Sequence, residues 1–241
     1  MCGRFALVAT PETVGRLFSV PDISALPPRY NIAPTQLIAV VRRLPNRPTP
    51  ELAFLRWGLV PSWAKDDSGG SRMINARLES ASEKPSFRAA FRRRRCLIPA
   101  TGFFEWKTAG RLKQAHFIGS PDHDVIALAG LWERWRDAAG EPLETCTILT
   151  TNASGAIREL HDRMPVVVAA GSFVAWLDPL QQDREAILEL LADSPPPRLE
   201  YFAVSPLVNN PANDVPACLE PAGSARGDAR PGRGAEGPDG S

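Results

Sequence analysis

The chain has 241 residues, of which 44% are hydrophobic and 23% charged, and its formal net charge is +1. This length and hydrophobic content predict one large domain with a full core, and the balanced charge gives no sign of a general nucleic-acid-binding protein. The cysteines (Cys2, Cys96, Cys146 and Cys218) have no CxxC spacing, so we expect neither a metal site nor a disulfide framework, and a reducing, intracellular setting is favoured. The N-terminus has no apolar signal region and no long apolar run follows, which predicts neither secretion nor a membrane span.

Short apolar or alternating segments dominate the chain and predict strands at residues 3–8, 36–42, 51–59, 96–99, 102–107, 115–118, 125–132, 145–151, 166–169 and 199–204. Helices are predicted at 11–18, where Thr10 is the N-cap and Pro11 the first helical residue, and at 87–93, 154–160, 172–176 and 183–191. Many strands with scattered short helices indicate a single α+β domain, with a mixed, mostly antiparallel sheet that curls toward a barrel.

The domain is predicted to span residues 1–221. Residues 222–241 contain Gly, Ala, Arg, Pro and Asp with almost no large apolar side chain. Such a segment buries too little surface to offset the entropy of ordering it, so we expect a disordered tail.

The start of the chain, Met1-Cys2-Gly3-Arg4-Phe5, predicts an unusual nucleophile. Cys2 is small enough for an aminopeptidase to remove Met1, which would leave a cysteine with a free α-amine beside its thiol. Both groups are partly available near neutral pH, with reference pKa values of about 7.7–8.0 and about 8.5. The amine can condense with an aldehyde and the thiol can then close a thiazolidine ring, or the amine can act as base for its own thiol. An accidental cysteine at position 2 is the alternative.

Two further residues have types suited to proton transfer. Glu105 lies in a predicted strand where Phe103, Glu105 and Lys107 share one face, so its carboxylate should be partly desolvated. His161 follows a predicted short helix and is one of only three histidines. An ordinary ion pair for the glutamate and a helix-terminal position for the histidine are the alternatives, and for Glu105 taken alone the ion pair is favoured.

Other residues have side chains that are suited to binding DNA. Asn75 and Arg77 alternate in Ile74-Asn75-Ala76-Arg77, and an arginine presents a planar fork that matches phosphate, as Arg4 would too. Trp63 lies in a proline-containing loop, where an indole can stack on an unpaired base. Ordinary salt bridges and core packing are the alternatives. A basic run between Lys84 and Arg95 is either a DNA-binding surface or a solvated face.

Taken together, these segments resemble the SRAP family, the SOS-response-associated peptidases or abasic-site processing proteins. The resemblance extends from Cys2 to about residue 221. It rests on ordered motifs at 1–5 (MCGRF), 29–35 (RYNIAPT), 57–63 (WGLVPSW), 74–77 (INAR), 85–88 (PSFR), 102–107 (GFFEWK) and 161–165 (HDRMP). The chain departs from the expected pattern at Thr101, Phe104, Leu78 and Ser80, none of which is a proposed chemical group.

The resemblance implies covalent capture of abasic sites in single-stranded DNA through a thiazolidine, in a monomer of the cytoplasm associated with the nucleoid, without a metal or organic cofactor. It implies AP-lyase and self-processing peptidase activity as further expectations. By motif match, the catalytic residues would be Cys2, Asn75, Glu105 and His161. The residues at the DNA would be Arg4, Pro34, Trp63, Arg77, Trp106 and Thr150.

Two other functions remain open from the sequence. Class II glutamine amidotransferases also begin Met-Cys-Gly and use the cysteine thiol to attack an amide, with an oxyanion hole for the developing charge. A non-catalytic reader of single-stranded or modified DNA would need the basic run and Trp63 but no free amine.

Overall fold

The computed structural model describes residues 2–110, 112–193 and 197–223, so most of the predicted tail lies outside the described residues. The strands in chain order are β1 Phe5–Leu7, β2 Arg29–Ile32, β3 Leu37–Arg42, β4 Glu51–Trp57, β5 Asn75–Arg77, β6 Arg95–Ala100, β7 Gly102–Ala109, β8 Leu112–Gly119, β9 Ile126–Arg136, β10 Pro142–Asn152, β11 Arg163–Pro165, β12 Val167–Val168 and β13 Glu200–Ala203. The α-helices are α1 Pro11–Phe18, α2 Leu78–Ala81, α3 Arg88–Arg93, α4 Phe173–Trp176 and α5 Arg184–Ala192. Short 3₁₀ turns lie at Gly70–Arg72, Gly155–Glu159, Ala170–Ser172, Pro206–Asn209 and Pro216–Leu219.

The larger of two sheets closes on itself as a five-strand barrel. Strand β10 pairs antiparallel with β9 along one edge and parallel with β4 along the other, through Thr145 opposite Arg56 and Cys146 opposite Trp57. The ring is completed by β4–β3, β3–β6 and β6–β9 pairings, all antiparallel. The predicted mixed, mostly antiparallel, barrel-like α+β fold is therefore confirmed.

The barrel interior leaves no room for an extra carbon at Gly130 of β9. A Cβ there would lie 2.9 Å from Cys96 Sγ, 2.9 Å from Ile98 Cδ1 and 3.1 Å from the Thr147 carbonyl oxygen. Because a close-packed interior relaxes little, glycine is required at this position for the β6 side chains and the β10 main chain to pack against β9.

The second sheet has five strands in the order β13-β8-β7-β1-β2 and packs on the barrel through aromatic rings. Phe5 of β1 meets Trp57 of β4 edge to face, with ring centroids 5.3 Å apart. Trp57 is fully buried, and its indole Nε1–H donates to the Ile74 carbonyl at 2.8 Å. A single tryptophan therefore joins the two sheets and holds the chain just before β5.

Four of the five predicted helices contain an α-helix near the predicted position, and the fifth is a 3₁₀ turn. Helix α1 has the predicted bounds, and Thr10 Oγ1 accepts from the Thr13 backbone N–H at 3.2 Å. Helix α5 is capped by Asp183. The segment predicted as a helix at 154–160 is a 3₁₀ turn, and the N-cap of α3 is Phe87, whose side chain makes no capping hydrogen bond.

Three short strands, β2, β5 and β11, do not follow from the sequence pattern. They have 3 or 4 residues each, too few to display an alternation. The 3₁₀ turn that precedes β11 ends at Glu159, and β11 itself ends at Pro165. Their pairing with longer neighbours makes them strands, so only the tertiary fold defines them.

The basic run before β6 is in part structural. Arg95 is buried, and its guanidinium donates to main-chain carbonyls of Phe91, Arg92, Trp176, Asp178 and Gln181. Burial lowers its pKa to about 10. Arg94 pairs with the buried Glu133 at 2.6 Å. The exposed members that remain on α3 are Arg88, Arg92 and Arg93.

Buried thiols in the barrel should make stability depend on alkaline pH. Burial raises the pKa of the Cys96 and Cys146 thiols, whereas thiols of an unfolded chain titrate near about 8.5. Above that pH the unfolded state releases protons that the folded state keeps, so the free energy of unfolding falls as pH rises, by about 1.4 kcal/mol per pH unit per thiol.

Urea unfolding measured between about pH 8 and 10 should show this loss, and Cys96→Ala should reduce its slope by about 1.4 kcal/mol per pH unit. Comparing the two proteins removes the contribution of every other titrating group. Equal slopes would show that the Cys96 thiol ionises as readily in the folded protein as in the unfolded chain.

Candidate active site

Cys2 lies in the segment that leads into β1 at Phe5, and its side chain is fully buried in the main core. Burial raises the pKa of its thiol, and the charge of Glu105 raises it further, so Glu105 lies within electrostatic reach of the sulfur. The thiol is therefore protonated at neutral pH. Its predecessor Met1 lies outside the described residues.

Asn75 is hydrogen-bonded to Cys2. Strand β5 runs parallel to β10 with Asn75 opposite Ile148, and the Asn75 Nδ2–H donates to the Cys2 carbonyl oxygen at 2.8 Å. The other amide atom, Oδ1, is buried and accepts no hydrogen bond from the residues that the structure describes. A buried amide oxygen without a donor is costly, which is why such an atom marks a place where a ligand's N–H or O–H can bind.

Glu105 lies at the centre of β7, opposite His116 of β8, and is only 4% exposed. Phe103, on the same face, belongs to the main core, while Phe104 and Trp106 belong to a second cluster behind the sheet. The predicted alternation along this strand is confirmed, and it directs the Glu105 carboxylate toward the side of the sheet where Cys2 is buried.

His161 lies half-buried in the turn between β10 and β11. Its Nδ1 atom accepts a hydrogen bond from the Arg163 backbone N–H at 2.9 Å. The Arg163 guanidinium donates to the Thr150 carbonyl oxygen at 2.6 Å. His161 is thus attached to the same end of β10 that pairs with β5.

Arg77 and Thr150 are register partners in the β5–β10 pair. Thr150 is fully buried, and its hydroxyl donates to the Ala76 carbonyl at 3.5 Å. Arg77 is exposed at the start of α2. Of these two predicted DNA contacts, Arg77 presents its side chain to solvent, whereas the Thr150 side chain is buried beside it. A DNA contact by either residue stays a prediction.

Arg4 and Trp106 lie on the other side of the five-strand sheet. The Arg4 guanidinium carbon is 5.7 Å from the Trp106 ring centroid, and its Nη1–H donates to Asn31 Oδ1 at 2.8 Å and to the Val208 carbonyl at 2.7 Å. Trp106 Nε1–H donates to Asn209 Oδ1 at 2.7 Å. The structure therefore gives Arg4 a supporting role, and a phosphate contact by Arg4 stays a prediction.

Pro34 and Trp63 lie on loops beside the barrel. Pro34 is half-buried and precedes Thr35, whose φ of 71° forms the tight turn into β3. Trp63 is 66% exposed, an unusual position for so large an apolar side chain. Its loop is held by the Trp135 Nε1–H, which donates to the Ala64 carbonyl at 2.7 Å.

Sequence reasoning missed the residues that tie the site to the C-terminal segment. Asn31 is fully buried, and its amide nitrogen donates to the carbonyls of Val208, Asn210 and Asn213. The Asp214 carboxylate accepts from the backbone N–H groups of Tyr30 and Asn31 and pairs with Arg29. The motif at 29–35 was the available signal, but its partners are remote in sequence.

Within the described residues, no group of three or more His, Cys, Asp or Glu side chains is placed to hold a metal ion. No helix in that part of the chain has both the length and the apolar content needed to cross a membrane.

Sequence comparison finds relatives that share one description, abasic site processing protein. YoqW of Bacillus subtilis (strain 168), an abasic site processing protein, is 39% identical over 226 residues, which cover 91% of this chain and 99% of the relative. The abasic site processing protein HMCES of Gallus gallus is 32% identical over 194 residues, covering 70% of this chain and 57% of that protein.

Solved structures share the fold. A protein from Bacteroides thetaiotaomicron superposes with a TM-score of 0.79 at 24% identity, covering 92% of this chain and all of that chain. A protein from Bordetella bronchiseptica gives 0.71 at 27% identity, covering 85% and 100%. The family model described as SOS response associated peptidase (SRAP) matches residues 1–211. The chain therefore belongs to the SRAP family.

Proposed function

We propose that this protein captures abasic sites in single-stranded DNA by forming a thiazolidine between Cys2 and the ring-opened sugar, and so protects the lesion. The observation that carries the proposal is the contact of Asn75 with the main chain of Cys2 beside the buried Glu105. The names of the relatives, abasic site processing proteins, support the same substrate.

The first nucleophile is the α-amine that Met1 removal would expose. Because burial and Glu105 raise the pKa of the Cys2 thiol, little thiolate exists at neutral pH. An α-amine has a reference pKa of about 7.7–8.0 and is partly uncharged there. This order favours aldehyde capture over the thiol-first chemistry of an amidohydrolase.

The reaction begins with opening of the closed sugar. The anomeric hydroxyl gives its proton to water, the bond between C1′ and the ring oxygen breaks, and the ring oxygen takes a proton from water while the His161 imidazole N–H donates a hydrogen bond to it, which exposes the C1′ aldehyde. The amine of Cys2 attacks C1′ and passes a proton to Glu105. Asn75 holds the main chain of Cys2 through its Nδ2–H, and its Oδ1 is available to accept from the amine or from a sugar hydroxyl.

Loss of water gives an imine, and the thiol then adds across it: sulfur bonds to C1′ and the thiol proton goes to nitrogen. Amine and thiol belong to one residue, so closure is intramolecular, and such steps reach effective molarities of about 10⁵–10⁸ M. The imine also promotes β-elimination of the 3′ phosphate. AP-lyase activity is therefore a side reaction of the same intermediate.

The DNA strand would contact exposed residues on the surface of the barrel. Arg77 holds a phosphate, while Trp63 and Pro34 stack on or separate bases. Arg4 and Trp106 lie behind the sheet, where Arg4 supports the C-terminal segment.

Self-removal of Met1 by the Cys2, Glu105 and His161 groups is a further proposed activity. We further propose that the protein acts in the cytoplasm at the nucleoid, where its DNA substrate would lie.

Intact mass spectrometry of the protein mixed with a single-stranded oligonucleotide that carries one abasic site tests the proposal. We expect, without borohydride, an adduct with the mass of the protein lacking Met1 plus the DNA minus one water. Cys2→Ser keeps the amine and should give only a transient imine that borohydride traps. A stable adduct from Cys2→Ser would exclude the thiazolidine, and glutamine turnover without an adduct would favour the amidohydrolase.

Glu105→Gln and His161→Ala should each slow crosslinking by about 10²-fold, the lower end of what positioned acid–base groups contribute. The measurement is the single-turnover rate at saturating DNA, with circular dichroism as a check on folding. Rates equal to that of the unchanged protein would reduce both residues to structural roles.

Arg77→Ala should weaken binding of single strands of any sequence and make it less sensitive to salt, with the log–log slope reduced by about 0.7 for one lost phosphate contact. Fluorescence anisotropy across a salt series measures this. Arg16→Ala on α1 removes an exposed arginine from an element without proposed DNA contacts and serves as the control. The same slope in all three proteins would contradict the contact.

A further inference from the structure

The Arg163 guanidinium joins three segments around the site. Its two terminal nitrogens donate to both carboxylate oxygens of Glu79, at 2.7 and 2.9 Å. Nη1 also donates to Asn152 Oδ1 at 2.7 Å, and Nη2 to the Thr150 carbonyl at 2.6 Å. The side chain is only 13% exposed. A bidentate pair with this many contacts fixes the position of the β11 backbone as well as that of the side chain.

The backbone of Arg163 acts on His161. Its N–H donates to His161 Nδ1 at 2.9 Å, and a main-chain N–H can only donate. Nδ1 is therefore an acceptor. In a neutral imidazole the other nitrogen, Nε2, then carries the proton.

We infer that Arg163 is a positioning residue for His161: its backbone N–H selects the Nε2–H form of the imidazole, and its ion pair with Glu79 holds that N–H in place. The inference rests on the proposed function for its catalytic consequence. His161 donates a hydrogen bond from Nε2–H to the ring oxygen of the sugar, while Nδ1 stays engaged with the protein.

Glu79 connects the turn that contains His161 and Arg163 to the side of the site that is proposed to face the DNA. It lies on α2, two residues after Arg77, so the ion pair ties the turn that carries His161 to the end of β5. Hydrogen bonds from Arg163 hold the pKa of Glu79 below its usual range, and the carboxylate is therefore charged at neutral pH. Because both terminal nitrogens of Arg163 are already bonded to Glu79, a phosphate would have to displace this carboxylate.

The first test needs no DNA. Nitrogen-15 NMR of protein with labelled histidine reports which ring nitrogen carries the proton. The protein has three histidines, so His116→Gln and His123→Gln assign the signals. We expect the Nε2–H form at His161 in the unchanged protein, and a mixture of both forms in Glu79→Gln and Arg163→Lys.

The second test separates positioning from DNA binding. Glu79→Gln and Arg163→Lys should lower the maximal crosslinking rate by about tenfold, part of what a positioned proton donor contributes. Their affinity for a single strand that carries a tetrahydrofuran analogue, which has no aldehyde, should stay the same. Glu51→Gln is the control, because it breaks a comparable pair with Arg42, 2.9 Å apart, at the turn between β3 and β4.

An Nδ1–H form at His161 in the unchanged protein would overturn the inference, as would weaker analogue binding at an unchanged maximal rate, since the latter identifies Arg163 as a phosphate contact. Glu79→Gln keeps the shape of the side chain and provides the decisive variant if Arg163→Lys does not fold. If the unchanged protein forms no crosslink at all, the proposed function fails while the NMR result still decides the positioning.

Discussion

Strand β10 is the element on which the rest of the structure depends, because its backbone pairs with four other strands along eleven residues. Pairing with β9 and β4 closes the barrel. Beyond Cys146, where β4 ends, β10 pairs with β5 and then with β11. The same strand therefore supplies the stability of the closed ring and the position of Asn75 and His161. Since closing a barrel satisfies the hydrogen bonds of its own edges, the end of β10 is a rigid support for chemistry.

The second half of the site comes from a different sheet. Glu105 belongs to the five-strand sheet and Cys2 precedes its strand β1. The relation between the two halves is set by the packing of Phe5 on Trp57 and by the Trp57 indole bond to the Ile74 carbonyl. Apolar packing fixes the distance, and the Asn75 hydrogen bond to Cys2 then fixes the orientation of the main chain. This division is physically sensible, because dispersion and burial are strong but non-directional whereas a hydrogen bond is directional.

Arginine has two different uses in this protein. Arg4, Arg95 and Arg163 hold remote segments through main-chain carbonyls and carboxylates, while Arg77 is exposed at the site. A guanidinium can serve several acceptors at once, which suits it to join loops that lack regular pairing. A run of basic letters in the sequence does not distinguish these uses, since the difference lies in which acceptors are within reach.

The sequence by itself determined the longer strands, helix α1 with its Thr10 cap, the two faces of β7 and the family, because side-chain periodicity and local capping are encoded by near neighbours. It also indicated Cys2, Asn75, Glu105 and His161 as a set through the motifs that they occupy. Only the tertiary structure decided that β5 and β11 are strands, that Arg4 faces away from Cys2, and that Arg163 contacts both His161 and Glu79. Those outcomes depend on contacts between residues up to 204 positions apart, which no local pattern records.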